Sequence, residues 1–298
     1  MITRLSLALI LIFGPACSFA SGEDSKQDIQ IDEAIKNLGS YKAAEKKQAI
    51  DDLVSLKDKA VAPLLDTAKD SANPERLRSR SISVLGQIGD KSAVKDLIML
   101  LDDKSKKVRG ESAYVLGNMQ DKSALKDLVR LLDDKEDSVR YYVVEAIGKM
   151  GDKTIAYAIS QRLLVDPSES VRYKTLEALD KLEAKKEYST ILGALSDPNF
   201  EVRSYAAELS GIWKLDGAER KLANMVSRDE DEVVRRSCAL ALVNFKTDSS
   251  KKALIEALDD NDEAVRVNAL VSLNKITGED YKYNQHKWRE WLGSNANR

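Results

Sequence analysis

Apolar side chains recur along this chain with the spacing of one helix face, in units of 31 or 32 residues. Each unit contains a Val-Arg or Leu-Arg pair. Counted from the first residue of that pair, small or apolar residues stand at positions 4, 5, 7 and 8. These positions share one side of an α-helix. The pairs are Leu77-Arg78, Val108-Arg109, Val139-Arg140, Val171-Arg172, Val202-Arg203, Val234-Arg235 and Val265-Arg266. A fixed period long enough for two short helices predicts a helical solenoid.

The polar and glycine positions of the repeat predict where its helices begin and end. An aspartate stands five residues before the pair in six units, and we expect it to be the N-cap of the helix that carries the pair. These aspartates are Asp103, Asp134, Asp166, Asp197, Asp229 and Asp260. Glycine at position 9 predicts the C-terminal end of that helix in four units. These glycines are Gly86, Gly117, Gly148 and Gly211.

A second, shorter apolar stretch follows in each unit, so the sequence predicts an all-α, right-handed superhelix of about eight helix pairs over residues 30–276. The first pair is irregular, because Lys46-Lys47 stands where Val-Arg is expected, as is common in terminal repeats. Residues 277–298 place Trp288, Trp291 and Leu292 on one helical stripe. We interpret this segment as a capping helix, with an exposed aromatic docking site as the alternative.

The motif Asp-x4-Val-Arg, followed by a helix of small and apolar residues, resembles the HEAT repeat, especially the short bacterial form of phycobilin-lyase-type HEAT-like proteins. The resemblance covers roughly residues 30–276. It implies that the arginines pair with aspartates within and between repeats, forming a ladder through the stack. The implied ladder joins the six aspartates above to Arg109, Arg140, Arg172, Arg203, Arg235 and Arg266. A buried guanidinium must remain bonded, so we interpret these residues as structural and not catalytic.

The first 20 residues have the pattern of a secretory signal peptide. Arg4 precedes an apolar run at residues 5–13 that is too short to span a bilayer, and Ser18-Phe19-Ala20 forms a cleavage site of small residues. We therefore expect a periplasmic or secreted protein that starts at Ser21, with residues 21–29 as a flexible linker. The alternative is a lipoprotein anchored through an acylated Cys17. Either form leaves Cys238 without an intramolecular disulfide partner, so the core alone must hold the fold.

Composition and residue inventory argue against several kinds of chemistry. The formal net charge of -2 argues against a general affinity for nucleic acid. A HEAT-like DNA glycosylase needs a basic groove, whereas the groove predicted below has a row of glutamates and the expected compartment is wrong for it. His286 is the one histidine, so the sequence lacks the partners that a histidine metal site or a catalytic triad needs. It also lacks the several His-Glu pairs of a HEAT-like deoxyhypusine hydroxylase. The acidic runs at residues 229–232 and 259–263 lack the glycine and bidentate glutamate of a calcium loop. We expect no enzymatic activity, cofactor or metal.

Positions 2, 3 and 6 of the repeat point away from the apolar stripe and, in HEAT-type stacks, line the concave side. Tyrosines gather at these positions in the central four units, and glutamate recurs at position 6 in three consecutive ones. The predicted partner-binding residues are Tyr114, Tyr141, Tyr142, Glu145, Tyr173, Glu177, Tyr205 and Glu208. Tyrosine is enriched at protein interfaces, and a glutamate row favours a basic segment of a partner. The alternative is that the tyrosines pack along the stack while the glutamates only solvate it.

These observations predict a non-enzymatic protein–protein interaction scaffold of the cell envelope, which binds a protein or peptide along its concave groove. Stacked repeats hold the side chains of such a groove in place before binding, so little ordering entropy is lost. Two alternatives remain open. One is a lyase-like accessory or chaperone for cofactor attachment, which the predicted export disfavours. The other is a purely structural envelope protein without a ligand groove.

Overall fold

A computed structural model describes residues 22–295, with the side chains of residues 22–25, 163 and 164 left aside. The predicted signal peptide, including Cys17, lies outside the described residues. Within them the structure contains seventeen α-helices and no strand. In chain order these are α1 (Gly22–Leu38), α2 (Ala43–Ser55), α3 (Asp58–Lys69), α4 (Glu75–Ile88), α5 (Val94–Leu100), α6 (Lys106–Met119), α7 (Leu125–Arg130), α8 (Asp137–Met150), α9 (Ala156–Val165), α10 (Glu169–Lys181), α11 (Tyr188–Ala194), α12 (Phe200–Ile212), α13 (Ala218–Arg228), α14 (Glu232–Leu242), α15 (Asp248–Ala257), α16 (Glu263–Thr277) and α17 (Gln285–Asn295).

The helices form eight consecutive pairs followed by α17, so the predicted α-solenoid is confirmed. The second helix of each pair, from α2 to α16, packs on the second helix of the next pair, and together they form the inner row. The first helices, from α1 to α15, form the outer row, in which most neighbours contact each other less than the neighbouring inner helices do. The array therefore curves toward the inner row. We call the exposed side of that row the inner face.

Glycine allows this close spacing of the inner helices. A Cβ atom added to Gly117 of α6 would lie 2.5 Å from the Cα atom of Ala146 in α8, closer than any side chain can pack. The same contact recurs between Gly148 and Ala178, and between Gly211 and Ala241. The prediction that these glycines end the helices is wrong, because the helices continue past them. The left-handed residues that follow helices stand three positions later, as at Gly89, Gln120 and Gly151.

The apolar stripe of the inner helices forms the continuous core. Val108, Val139 and Val202, the first residues of three Val-Arg pairs, are fully buried. Burying one such side chain contributes about 1.5–3 kcal/mol, so the apolar residues that recur in every unit stabilise the stack. At the C-terminal end α17 packs against α15 and buries Trp288 and Leu292. The indole N–H of Trp288 donates to the carbonyl of Lys282 at 2.9 Å, and this packing favours the capping interpretation over an exposed docking site.

The N-terminal segment differs from the expectation. Residues 21–29 are predicted as a flexible linker, but α1 covers residues 22–38. The buried positions Ile31, Ala34, Ile35 and Leu38 follow a helical spacing, and no glycine or proline between residues 23 and 31 stops the helix from extending upstream. The side chain of Lys59 in α3 also donates to the amide oxygen of Gln27 at 2.5 Å. Helix propagation from a packed stripe therefore overrides the polar composition of this segment.

Candidate functional site

The arginines of the repeat join neighbouring units through two sets of contacts. Arg140 donates from Nε and Nη2 to the two carboxylate oxygens of Asp166 in the next unit, at 2.7 and 2.8 Å. Its Nη1 donates to the backbone carbonyl of Asp134 in its own unit at 2.8 Å. The same arrangement joins Arg109 to Asp134, Arg172 to Asp197, Arg203 to Asp229 and Arg235 to Asp260. We call this series the ladder, and each of its pairs ties one inter-helix turn to the next.

The two ends of the ladder differ from its middle. Arg78 pairs with Asp103 and so provides the first pair, although the predicted ladder residues do not include it. Its place in the Leu-Arg pair of the repeat was the signal that could have found it. At the other end, Arg266 donates to the backbone carbonyls of Asp260 and Asn261, and within residues 22–295 no aspartate of a following repeat binds it.

The aspartates of the ladder are not the N-caps of the helices, so that prediction is wrong. The N-cap stands two residues later, as at Ser105, Asn199 and Asp231, whose side chains accept backbone N–H groups. Asp103 instead accepts the N–H of Ser105 at 2.8 Å while it binds Arg78. A bidentate guanidinium bond is stronger than a single N–H bond. The carboxylate therefore faces the arginine, and a short turn precedes the helix.

Burial and charge act in opposite directions on the ladder carboxylates. Burial alone would raise the pKa of Asp134, but the hydrogen bonds from Arg109 and from the Glu136 N–H, with the charge of Arg109, bring that pKa below its usual value. The pKa of Asp103 is lowered in the same way through Arg78. Hydrogen bonding to Asp134 likewise raises the pKa of Arg109. Both partners are thus held in their charged forms, which suits a structural pair.

The eight predicted partner-binding residues lie together on the inner face of α6, α8, α10 and α12, and we call them the central strip. The rings of Tyr173 and Tyr205 stack at 5.3 Å between centroids. Tyr142 meets Tyr114 at 5.9 Å and Tyr141 at 5.5 Å, both edge to face. Tyr142 and Glu208 are exposed, while the other six residues are half-buried. The tyrosines therefore do pack along the stack, and one edge of that packed row faces solvent.

Two of the three glutamates in the predicted acidic row have a lysine partner. Lys149 Nζ lies 2.8 Å from Glu145, and it also lies 4.2 Å from the centre of the Tyr114 ring. Lys174 pairs with Glu177 on α10. Glu208 instead accepts a hydrogen bond from Ser237 Oγ at 3.0 Å. Lysines therefore neutralise the first two glutamates of the expected negative row, and the exposed carboxylate is that of Glu208.

Burial shifts the titration of several groups on this face. The pKa of Tyr205 is raised strongly, by burial and by the carboxylate of Asp180, which accepts its hydroxyl at 3.1 Å. Burial also raises the pKa of Glu111, a residue of α6 at position 3 that is absent from the predicted set. The pKa of Tyr142 rises through its own burial and through the nearby Glu111. The raised pKa values keep the hydroxyls of Tyr205 and Tyr142 protonated at neutral pH, so both rings act as contact surfaces and Tyr205 also acts as a hydroxyl donor.

The inner face changes character beyond α12. Ile212, Leu240 and Val271 expose 66%, 46% and 52% of their surface, and Val267 exposes 39%. The sequence indicates this change at position 6 of the last two units, where Leu240 and Val271 replace the glutamate of the central units, and at position 2 of the last unit, where Val267 replaces a tyrosine.

Two features are absent from the described part of the chain, a cluster of metal-binding side chains and a helix that could span a membrane. Among residues 22–295, no group of three or more histidine, cysteine, aspartate or glutamate side chains is placed to hold a metal ion. No helix in the same range combines the length and the apolar character needed to cross a lipid bilayer. Cys238 is fully buried and burial raises its pKa strongly, so it is a core thiol.

Comparison with known families gives matches along most of the chain. A family model described as HEAT repeats matches residues 31–109, 97–180 and 218–283. The pair α11–α12 falls between the second and third of these matches. No curated protein is similar enough in sequence to count as a match.

Solved structures share the architecture at low sequence identity. The YibA protein of Escherichia coli is 22% identical, with a TM-score of 0.59 over 87% of this chain and 99% of that one. The complex of CpcE and CpcF of phycocyanin lyase from Nostoc sp. PCC7120 is 21% identical, with a TM-score of 0.44 over 90% and 100%. Human deoxyhypusine hydroxylase is 20% identical, with a TM-score of 0.38 over 87% and 100%. The likeness to YibA supports the fold alone.

Proposed function

The chain belongs to the HEAT repeat family, and we propose that it is a non-enzymatic scaffold of the cell envelope that binds a protein or peptide along its inner face. HEAT repeats suggest a protein-interaction scaffold in general, because stacked helices present one long surface. The observation that carries the specific proposal is the central strip. It gathers five tyrosines from four consecutive inner helices, although the ladder and the core already hold those helices together.

Three properties of the central strip support binding. Its rings are fixed by their neighbours, so few side-chain rotamers are lost when a partner binds. Tyr142 lies between two shallow clefts, one lined by Ser168 and Ser170 and the other by Ser79 and Lys107. Glu208, at the other end of the strip, offers an exposed carboxylate. A partner with a basic group near Glu208 and apolar or aromatic side chains near Tyr142 fits this arrangement.

Affinity capture from the native cell envelope tests the proposal. The bait is the purified protein, beside a variant with Tyr142→Ala and Glu208→Ala, the two exposed members of the central strip. The matched control changes two exposed tyrosines of the outer row, Tyr157→Ala and Tyr188→Ala. A protein captured by the wild type and the control, but lost by the inner-face variant, supports the scaffold. Identical capture by all three baits, or capture by none, contradicts it and favours a purely structural role.

The envelope location has its own test. Mass spectrometry of the protein isolated from its native cell should find an N-terminus at Ser21, as expected after signal-peptide cleavage. Acylation of Cys17 would support the lipoprotein form instead. An intact N-terminal segment would contradict export.

A further inference from the structure

The inner face of α12, α14 and α16 has a contiguous apolar patch, which we call the apolar floor. It consists of Ile212, Leu240, Val267 and Val271, all of them exposed. Two hydrogen bonds set the register between the helices. Ser272 Oγ donates to the carbonyl of Ala239 at 2.9 Å, which places Val271 beside Leu240.

The second bond joins the floor to the central strip. Ser237 Oγ donates to Glu208 at 3.0 Å, so Leu240 and Ile212 each lie one helical turn from that contact. This register makes Leu240 the neighbour of Ile212 on one side and of Val271 on the other, and Val267 lies one helical turn from Val271, so the four positions form a continuous path across three helices. Isolated exposed apolar residues are ordinary on protein surfaces, but a contiguous patch marks a binding surface.

Charged residues of opposite sign flank the apolar floor. The acidic rim is formed by Glu201, Glu232 and Glu263, exposed residues in the first turns of the three helices. The basic rim is formed by three exposed lysines at the other edge. Lys275 lies in the last turn of α16, whereas Lys214 and Lys246 lie in the turns that follow α12 and α14. The inner helices run in the same direction, so their first turns form one edge of the face and their last turns form the other.

The rim residues are not the ones that form the close ion pairs of this region, although the charge of Glu232 also acts on Arg235 and Arg236. Neighbouring ion pairs use other residues, such as Arg235 with Asp260 and Arg236 with Asp262. Across residues 22–295 no opposite charge lies within 4.0 Å of a rim residue. Helix dipoles favour acids at N-termini and lysines at C-termini, but that effect does not require apolar side chains between them.

We propose that the apolar floor and its two rims bind an amphipathic helix of a partner protein. The apolar stripe of that helix lies on Leu240 and Val271, its basic side chains face the acidic rim, and its acidic side chains face the basic rim. Packed helices lie about 8–10 Å apart, and side chains seven residues apart on a helix are separated by about 10 Å. Apolar side chains at i and i+7 of the partner therefore match successive inner helices.

This inference rests on the proposed function and names the occupant of the C-terminal half of the inner face. Charge on both edges also fixes the direction of the bound helix. Reversing the helix would place like charges together, which is unfavourable at an interface.

Three synthetic helical peptides with the same leucine stripe test the proposal by fluorescence anisotropy against the full protein. The first has basic side chains along one edge and acidic side chains along the other, the second is basic on both edges, and the third is acidic on both. We expect the first to bind about tenfold more tightly than either of the others. Leu240→Asp with Val271→Asp should weaken its binding more than about tenfold, because two charges would replace the apolar contacts.

A charge-reversal variant separates recognition from misfolding. Lys214→Glu with Lys246→Glu and Lys275→Glu makes both rims acidic, so the peptide with two basic edges should become the tightest ligand. An unfolded protein could not gain that preference. Met99→Asp, at an exposed apolar position of the outer helix α5, is the matched control and should leave all three affinities unchanged.

Four results would overturn this inference. Three of them concern the peptides: the absence of binding by the mixed-charge peptide, equal affinities for all three peptides, and binding that is insensitive to Leu240→Asp with Val271→Asp. The fourth is sedimentation of the wild type as a dimer and of that variant as a monomer, which would assign the floor to a second copy of the chain. The proposed function is tested separately through Tyr142 and Glu208, so a partner lost only with that pair would leave it intact.

Discussion

The ladder and the inner face involve adjacent positions of the same helices, yet the residues of the ladder repeat from unit to unit while those of the inner face vary. The ladder repeats one arginine–aspartate geometry in five successive units, from Arg109 to Arg235, with most of its side chains less than a tenth exposed. The inner face differs in every unit, from the tyrosines of α8 to the valines of α16. Positions that repeat hold the stack together, whereas positions that vary are available for recognition. We therefore expect that mutations in the ladder lower stability and that mutations on the inner face weaken binding.

Removing an arginine from the middle of the ladder should give the largest effect on stability. Arg172→Ala leaves the buried carboxylate of Asp197 without its bidentate partner, so we expect the free energy of unfolding to fall by about 3–5 kcal/mol. Urea denaturation followed by circular dichroism measures this change. Arg266→Ala is the control, since Arg266 binds backbone carbonyls alone, and it should cost about 1.5 kcal/mol. Equal losses in the two variants would show that the carboxylate pairing is not what stabilises the stack.

Crowding the contact between inner helices should have the next largest effect. In Gly117→Ala the new Cβ atom would meet the backbone of Ala146, and we expect a loss of about 1–3 kcal/mol despite the better helix propensity of alanine. Gly293→Ala in α17 meets no atom within 4 Å, so it should stabilise the protein by about 0.5 kcal/mol. Thermal unfolding of both variants checks the pair of signs. A stabilising Gly117→Ala would refute the close packing of α6 on α8.

The ladder should also set the acid limit of stability. The pKa values of Asp103 and Asp134 are lowered in the folded state, so their contribution is complete above the unfolded value of about 3.9 and is lost as the pH falls through the folded value. We expect a level free energy of unfolding from neutral pH down to about pH 5, then a decline below about pH 4. Asp134→Asn should make that decline shallower. A decline that is complete above pH 5 would point to other groups.

An exposed ion pair between repeats should contribute least. Lys153 and Glu183 also join neighbouring units, but their side chains are 63% and 71% exposed. Lys153→Ala should change the free energy of unfolding by less than about 0.5 kcal/mol, because solvent and salt screen such pairs. Denaturation at low and high salt measures the difference. A loss comparable with that of Arg172→Ala would mean that burial does not distinguish the ladder from surface pairs.

The sequence predicted most of the fold because the same residue pattern recurs every 31 or 32 residues. The spacing of Val-Arg pairs identified the inner helices, and the family resemblance implied the pairing of Arg140 with Asp166 that the structure contains. Helix ends were harder to predict. The ladder draws each aspartate away from the helix, so the cap moves two residues on to Ser105 and its equivalents. Gly117 was misplaced because a glycine that allows close packing and a glycine that ends a helix look alike in one sequence.

The candidate site was predicted only in part. Positions 2, 3 and 6 correctly placed Tyr142 and Tyr173 on one face, since that inference needs only helical geometry. The pairing of Glu145 with Lys149 depends on which of several nearby lysines folds back onto the helix surface, and the repeat does not specify that. The apolar residues Leu240 and Val271 of the floor were visible in the sequence. Whether they form a binding surface depends on their exposure, which the tertiary packing determines.

One paired measurement tests most directly whether partner binding depends on the inner face while the stability of the stack depends on the ladder. Arg172→Ala and the double variant Tyr142→Ala with Glu208→Ala are each assayed for urea stability and for partner capture at low temperature. We predict that the ladder variant loses stability but captures normally, whereas the inner-face variant stays nearly as stable as the wild type but captures poorly. Equal losses of stability in both variants, with capture unchanged in either, would contradict the account.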